Sequence, residues 1–157
     1  AKSKRHLIMM SKIILLADDD QDDTEMFCEA LADIDENIIC HYADNGDEAL
    51  KMMQKQDTIP SVVFLDLNMP IMDGWECLRQ LKRDERYKEI PVIMISTSSH
   101  KNDMETAANL GAVCYFVKPN TFKDLKQVLG LITSNIENGL KEALPNLEKN
   151  KYLHIFI

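Results

Sequence analysis

Five short apolar runs constrain this chain more than any other feature: Ile13 to Ala17, Ile38 to Tyr42, Val62 to Leu65, Val92 to Ile95 and Val113 to Val117. Each is rich in β-branched or aromatic residues and nearly continuous instead of alternating, the pattern of strands covered on both faces. The segments between them have helical spacing. Met26, Phe27, Ala30, Leu31 and Ile34 share one helical face, as do Ala49, Leu50 and Met53, then Trp75, Leu78 and Leu81. Met104, Ala107, Ala108 and Leu110 form the fourth such stripe, and Leu125, Val128, Leu129, Ile132 and Ile136 the fifth. Asn45 with Glu48, Asp73 with Glu76 and Thr121 with Asp124 have the spacing of helix-start capping pairs, and Gly111 and Gly139 are the expected stops. A βα unit repeated five times, joined by right-handed crossovers, folds into an α/β doubly wound parallel sheet of five strands, a three-layer αβα sandwich.

The 157 residues suffice for one domain with a sizeable core, and 45% apolar with 28% charged residues suits a globular chain. A formal charge of -8 works against sequence-independent binding to nucleic acid. No apolar stretch approaches the roughly 20 residues of a membrane span, and Lys12 interrupts the short apolar run behind the basic N-terminus. A cytoplasmic protein without nucleic-acid or membrane partners is expected. Cys28, Cys40, Cys77 and Cys114 are far apart, with no CxxC pair, and are expected to be four buried thiols, neither zinc ligands nor disulfides.

In open α/β sheets the working residues lie just past the carboxyl ends of the strands. Here strand one ends in Asp18-Asp19-Asp20, strand three in Asp66, strand four in Ser96 and strand five in Lys118-Pro119. Six carboxylates fall within Asp18 to Glu25, and no Lys or Arg occurs between Ile13 and Leu50. Carboxylates brought together by neighbouring strands repel one another, a cost that a hard divalent cation such as Mg²⁺ removes. Asp18 and Asp19, at the strand end, are read as its ligands; Asp20, Asp22, Asp23 and Glu25 are read as the acidic start of a helix. A carboxylate at Asp66, a metal and Lys118 make a site for a phosphoryl group, with Ser96 placed to hydrogen-bond an oxygen.

These residues resemble the receiver domains of two-component response regulators, of the stand-alone, single-domain type. The matching pieces are Leu15 to Asp20, Phe64 to Pro70 followed by Met72-Asp73-Gly74, Pro91 to Ser96, and Gly111-Ala112 leading into Tyr115 to Pro119. The resemblance runs from about Lys12 to Asn138 and implies a flavodoxin-like sheet of order 2-1-3-4-5. It implies Asp66 as phosphoacceptor, and Asp18, Asp19, Asp66 and the backbone carbonyl of Asn68 around Mg²⁺. Ser96 takes the place of the switch hydroxyl, Lys118 that of the lysine, and Tyr115 that of an aromatic that rotates inward on phosphorylation. A cis peptide is implied at Lys118-Pro119. Thr97 is grouped with Ser96, Lys118 and Tyr115 among the implied phosphoryl-binding and switch residues; it stands where a small residue is common, so its bulk is expected to narrow access to the site.

The expected function is phosphorelay signal transduction in a bacterial two-component system, with phosphoryl acceptance and autodephosphorylation as the only chemistry. A sensor histidine kinase or phosphotransfer protein supplies the group, and a downstream protein target, which the sequence does not identify, reads it. Rival readings are a pseudo-receiver interaction module, disfavoured because Asp18, Asp19, Asp66 and Lys118 are all present, and a Mg²⁺-dependent aspartyl-phosphate phosphatase of the haloacid dehalogenase type. The second requires an Asp where this chain has Asn68. Residues 1–11 are read as an N-terminal extension, 12–138 as the receiver domain and 139–157 as a C-terminal tail, too short for a DNA-binding domain. Tyr152 to Ile157 is almost wholly apolar, and is expected to pack against the domain or to mediate self-association, as a homodimer, or partner docking; strand addition to a sheet edge is one route.

Overall fold

A computed structural model describes residues 12–56, 59–137 and 139–156. The N-terminal extension, the boundary at Asn138 and the terminal Ile157 lie outside the described residues. The expected strands and helices form in the expected order: β1 (Lys12–Ala17), α1 (Gln21–Ile34), β2 (Ile38–Ala43), α2 (Gly46–Gln56), β3 (Val62–Asp66), α3 (Gly74–Arg83), β4 (Val92–Ser96), α4 (Lys101–Asn109), β5 (Cys114–Val117) and α5 (Phe122–Thr133). The parallel core has the order 2-1-3-4-5. β3 and β4 are buried along their whole length because helices cover both faces.

The sheet divides the core in two. On one side Ile14, Leu16, Phe64, Ile93 and Phe116 pack with Phe27, Leu31, Val128, Leu129 and Ile132 of α1 and α5. On the other, Leu15, Val63, Leu65, Met94 and Tyr115 meet residues of α2, α3 and α4, among them Met53, Leu78, Leu81 and Ala107. Alternation along each strand thus sorts side chains between two apolar layers, which is why the runs read as continuous.

The helix starts follow the capping pairs. Asn45, Asp73 and Thr121 accept from the backbone N–H groups of Glu48, Glu76 and Asp124, and Asp20 does the same for Asp23. Gly111 ends α4 in a left-handed turn with φ +98°. The last helix corrects the sequence expectation. It stops at Thr133, before Ile136 and Gly139, because Ser134 Oγ and Asn135 Nδ2 both donate to the Leu131 carbonyl at the helix end. Gly139 instead precedes a short helix, α6 (Leu140–Ala143), at φ +89°.

The five-stranded sheet is in fact six-stranded. After α6 and a 3₁₀ turn (Leu144–Leu147), β6 (Leu153–Ile155) pairs antiparallel with β5, setting Leu153 against Phe116 and His154 against Tyr115. Leu140, Leu144 and Leu153 are buried in the α1–α5 layer, while Phe156 packs on the opposite layer. Strand addition, expected as one route for the apolar tail, therefore occurs within the chain itself. The thiols also depart from expectation. Cys77 and Cys114 are buried, but Cys28 and Cys40 are only half-buried and lie side by side.

Candidate functional site

The register of β1, β3, β4 and β5 delivers Asp18, Asp66, Ser96 and Lys118 to one edge of the sheet. Lys118 is the centre of this cluster. Its Nζ donates to Asp66 Oδ2 at 2.7 Å, to Asp18 Oδ2 at 2.9 Å and to Asp23 Oδ2 at 2.9 Å. The other oxygens of the two strand-end carboxylates are held by backbone: Asp18 Oδ1 accepts from Asp20 N–H, and Asp66 Oδ1 from Asn68 N–H, both at 3.0 Å. An ammonium has three protons to give, and all three are used.

Asp23 is the residue that sequence reasoning missed. It sits in the first turn of α1, where the helix-start reading is correct as far as it goes, yet its carboxylate reaches back to Lys118. The capping spacing between Asp20 and Asp23 sets Asp23 in the first turn of α1, but nothing in that spacing aims its carboxylate at Lys118.

Burial and charge act in opposite directions here. Burial penalises the charged form of Asp18 and, with repulsion from Asp66, raises its pKa to about 6 although Asp20 N–H and Lys118 pull it down. Burial alone would lower Lys118, but the hydrogen bonds to Asp66, Asp23 and Asp18 outweigh it and raise its pKa. Replacing Lys118 with Ala should therefore leave three carboxylates facing one another. At neutral pH in chelator we expect a loss of about 3 kcal/mol, the low end for a broken buried pair because Asp23 is 40% exposed and water reaches the cluster. The sign with pH is fixed by the Asp18 shift. A folded pKa above the unfolded value contributes stability while the group is protonated and loses it as pH rises through the folded pKa. Without the ammonium that pKa moves higher still, so the deficit of Lys118→Ala should grow as pH rises from about 5 to 7. Urea melts across that range check it; a constant deficit would contradict it.

Asp19 is exposed and points away from the lysine cluster, lining a hollow with Asn68, Met69, Pro70 and Asp73. Among the described residues no group of three or more carboxylate, imidazole or thiol side chains is gathered in metal-binding geometry. Lys118 occupies the place of a counter-cation for Asp18 and Asp66. The carboxylates of Asp19 and Asp73 and the backbone carbonyl of Asn68 are hard oxygens, the type that suits Mg²⁺.

Ser96 is buried at the end of β4, and its Oγ accepts from Ser98 N–H at 3.0 Å. Its carbonyl accepts from Lys118 N–H at 2.8 Å, tying β4 to the lysine. Thr97 is exposed. Ser98 Oγ turns to Asp103, which leaves Ser96 as the buried hydroxyl beside the lysine. Tyr115 does not occupy an exposed starting position: it is fully buried, with its hydroxyl donating to the Ser98 carbonyl at 2.9 Å. The β6 strand closes over its backbone from the other side. The expected cis bond is also absent: every peptide bond among the described residues is trans, the ordinary preference even before proline.

The loop after Asp66 is tightly built. Gly74 N–H donates to the Leu67 carbonyl, and a Cβ at position 74 would overlap the Asp66 carbonyl oxygen, so only glycine lets α3 start this close to the end of β3. Within that loop Ile71 is held at φ +67° and is 85% exposed.

Comparison with known proteins gives one consistent result. The family model described as "Response regulator receiver domain" matches residues 14–130. Response regulator Rcp1 of Synechocystis sp. is 34% identical over 128 residues, covering 76% of this chain and 86% of the relative. Chemotaxis protein CheY1 of Helicobacter pylori is 40% identical over 91 residues, covering 57% and 72%. Among solved structures, the phosphorylated cyanobacterial phytochrome response regulator RcpA superposes with a TM-score of 0.74 at 30% identity, covering 81% of this chain and 94% of that one. The Mn²⁺-bound form of Rcp1 superposes with a TM-score of 0.69 at 30% identity, covering 78% and 92%.

Proposed function

Since the chain belongs to the response regulator receiver domain family, whose members act in two-component phosphorelays, we propose that it accepts a phosphoryl group on Asp66 from a histidine kinase or phosphotransfer protein. The observation that carries this reading is the meeting of Asp66, Asp18 and Lys118 at one sheet edge, with Lys118 Nζ 2.7 Å from Asp66. Asp66 is the strand-end carboxylate that meets both a backbone N–H and an ammonium, and buried Ser96 ends the neighbouring strand β4. A carboxylate oxygen of Asp66 forms the new O–P bond as the P–N bond to the donor imidazole breaks, and the imidazole leaves with a proton. Lys118 holds the negative oxygens of the transferred group, and the Ser96 hydroxyl donates to another. Asp18, Asp19, Asp66 and the Asn68 carbonyl would hold Mg²⁺, which when bound supplies positive charge opposite the phosphoryl oxygens. That a related regulator has been obtained with Mn²⁺ supports a divalent ion of this kind.

The chain turns over no separate substrate in this reading: water attacks the acyl phosphate and restores Asp66. Output is a shift between two conformations read by a protein target, in which the Ser96 hydroxyl moves toward the phosphoryl group. No described helix is long and apolar enough to cross a membrane. The test is to incubate the protein with Mg²⁺ and a small acyl phosphate, then to locate added phosphate by intact and peptide mass. One phosphoryl group on the peptide bearing Asp66, lost when Mg²⁺ is chelated, is expected. Label on another residue, or equal labelling without divalent metal, would overturn the assignment.

A further inference from the structure

The half-buried thiols Cys28 and Cys40 take no part in the phosphoryl site, yet they lie side by side. Cys28 projects from the middle of α1 and Cys40 from β2, the edge strand that pairs in parallel with β1. Their Sγ atoms are 2.8 Å apart. A disulfide needs about 2.05 Å, so a closing movement of under about 1 Å joins them. We propose that Cys28 and Cys40 are a redox-active dithiol that hydrogen peroxide converts into a reversible disulfide stapling α1 to β2.

The surroundings select both the nucleophile and the oxidant. Cys28 opens onto a surface cavity of about 650 Å³, also lined by Gln21, Thr24, Glu25, Glu29, Tyr42 and Asp44. Three carboxylates on that rim repel anionic oxidants such as glutathione disulfide and admit a small neutral peroxide. Within the pair, the hydrogen bond from Cys40 lowers the Cys28 thiol, while the same bond and then burial raise Cys40. Cys28 is thus the attacking sulfur and Cys40 the resolving one.

The chemistry balances in two steps. The Cys28 thiolate attacks one peroxide oxygen and the O–O bond breaks, giving a sulfenic acid and hydroxide, which takes up the proton lost by Cys28 to become water. The Cys40 sulfur then attacks the sulfenic sulfur, its proton leaves with the hydroxyl as a second water, and the S–S bond forms. Two thiols and one peroxide yield one disulfide and two waters. The staple closes a loop across the α1–β2 turn and anchors the helix whose first turn presents Asp23 to Lys118.

The experiment uses the full chain, reduced and then treated with hydrogen peroxide. Intact mass should fall by about 2 Da, peptide mapping should find Cys28 joined to Cys40, and dithiothreitol should reverse both changes. Buried Cys77 and Cys114 should remain free and alkylate after denaturation. Closing a loop of this length should raise the melting temperature of the oxidised protein by about 6 °C. In Cys40→Ser the sulfenic acid on Cys28 should persist and react with a 1,3-diketone probe, with no rise in melting temperature. Stable addition of oxygen to Cys28 in the natural sequence, a cross-link between two chains, or recovery of both thiols free after peroxide would each overturn the proposal.

Discussion

Asp66→Asn should show no phosphoryl gain under conditions that label the natural sequence fully, while keeping its fold and most of its stability. The amide oxygen of Asn can still accept from Asn68 N–H, so the loop after β3 keeps its anchor. Lys118 keeps Asp18 and Asp23, both at 2.9 Å, and is not stranded. What is lost is the nucleophile, because a neutral amide oxygen does not form a lasting bond to phosphorus. Removing the Asp66 charge also removes one source of the upward shift on Asp18, whose pKa should fall from about 6. A folded pKa nearer the unfolded value costs less stability above it, so the variant should melt at or slightly above the natural protein at pH 7 in chelator. We expect a change within about 1 kcal/mol, far from the loss expected for Lys118→Ala. Intact mass, peptide mass and a urea melt measure the three outcomes. Full labelling of Asp66→Asn would move the nucleophile elsewhere and sink the functional reading.

Most of the fold was legible because fully covered parallel strands leave a mark that alternating strands do not. Ile93, Met94 and Ile95 are adjacent and all buried, since one sheet face looks at α1 and α5 and the other at α2, α3 and α4. The strand-end rule then placed Asp18, Asp66, Ser96 and Lys118 together without coordinates. Sequence spacing did not resolve what each carboxylate touches. Asp18 and Asp19 are neighbours in the chain, but one faces the lysine and the other solvent, because successive residues at a strand end point to opposite sides. Asp23 looked like one of several acids at a helix start, and only the angle at which α1 leaves β1 brings it to Lys118.

The thiols illustrate the same limit. Cys28 on a helix and Cys40 on an edge strand have no shared periodicity, and their meeting depends on how far α1 slides along the sheet. Tyr115 was expected, from the resemblance alone, to be an aromatic that rotates inward, and it already lies inside. Its burial is settled locally by the Ser98 carbonyl and by a strand whose docking no short-range pattern specifies.

That strand, β6, changes what the β5 edge can do. In a five-stranded sheet β5 presents an open row of backbone donors and acceptors next to α4 and α5. Here the row is filled: Val117 N–H donates to the Tyr152 carbonyl and Phe156 N–H to the Val113 carbonyl, with Cys114 and Phe116 registered against Ile155 and Leu153. Tyr152 Oη adds a 2.6 Å hydrogen bond to Asp124 at the start of α5. Truncation after Asn150 should therefore remove a structural element. Leu153 is 2% exposed, and burying it contributes about 2 kcal/mol. Phe156, Ile155 and Tyr152 add partial burial, offset by the entropy of ordering the segment, for a net loss of about 3 kcal/mol. A bare β5 edge beside uncovered Phe116 should also pair with another copy, so the truncated protein should become concentration-dependent in size. Asp66 lies at the carboxyl end of β3, two strands away from the gap, and should still accept phosphate. Denaturant melts, light scattering across a concentration series and the Mg²⁺-dependent mass gain separate these effects. Unchanged stability together with an unchanged monomer size would show that β6 lies on the edge without holding it.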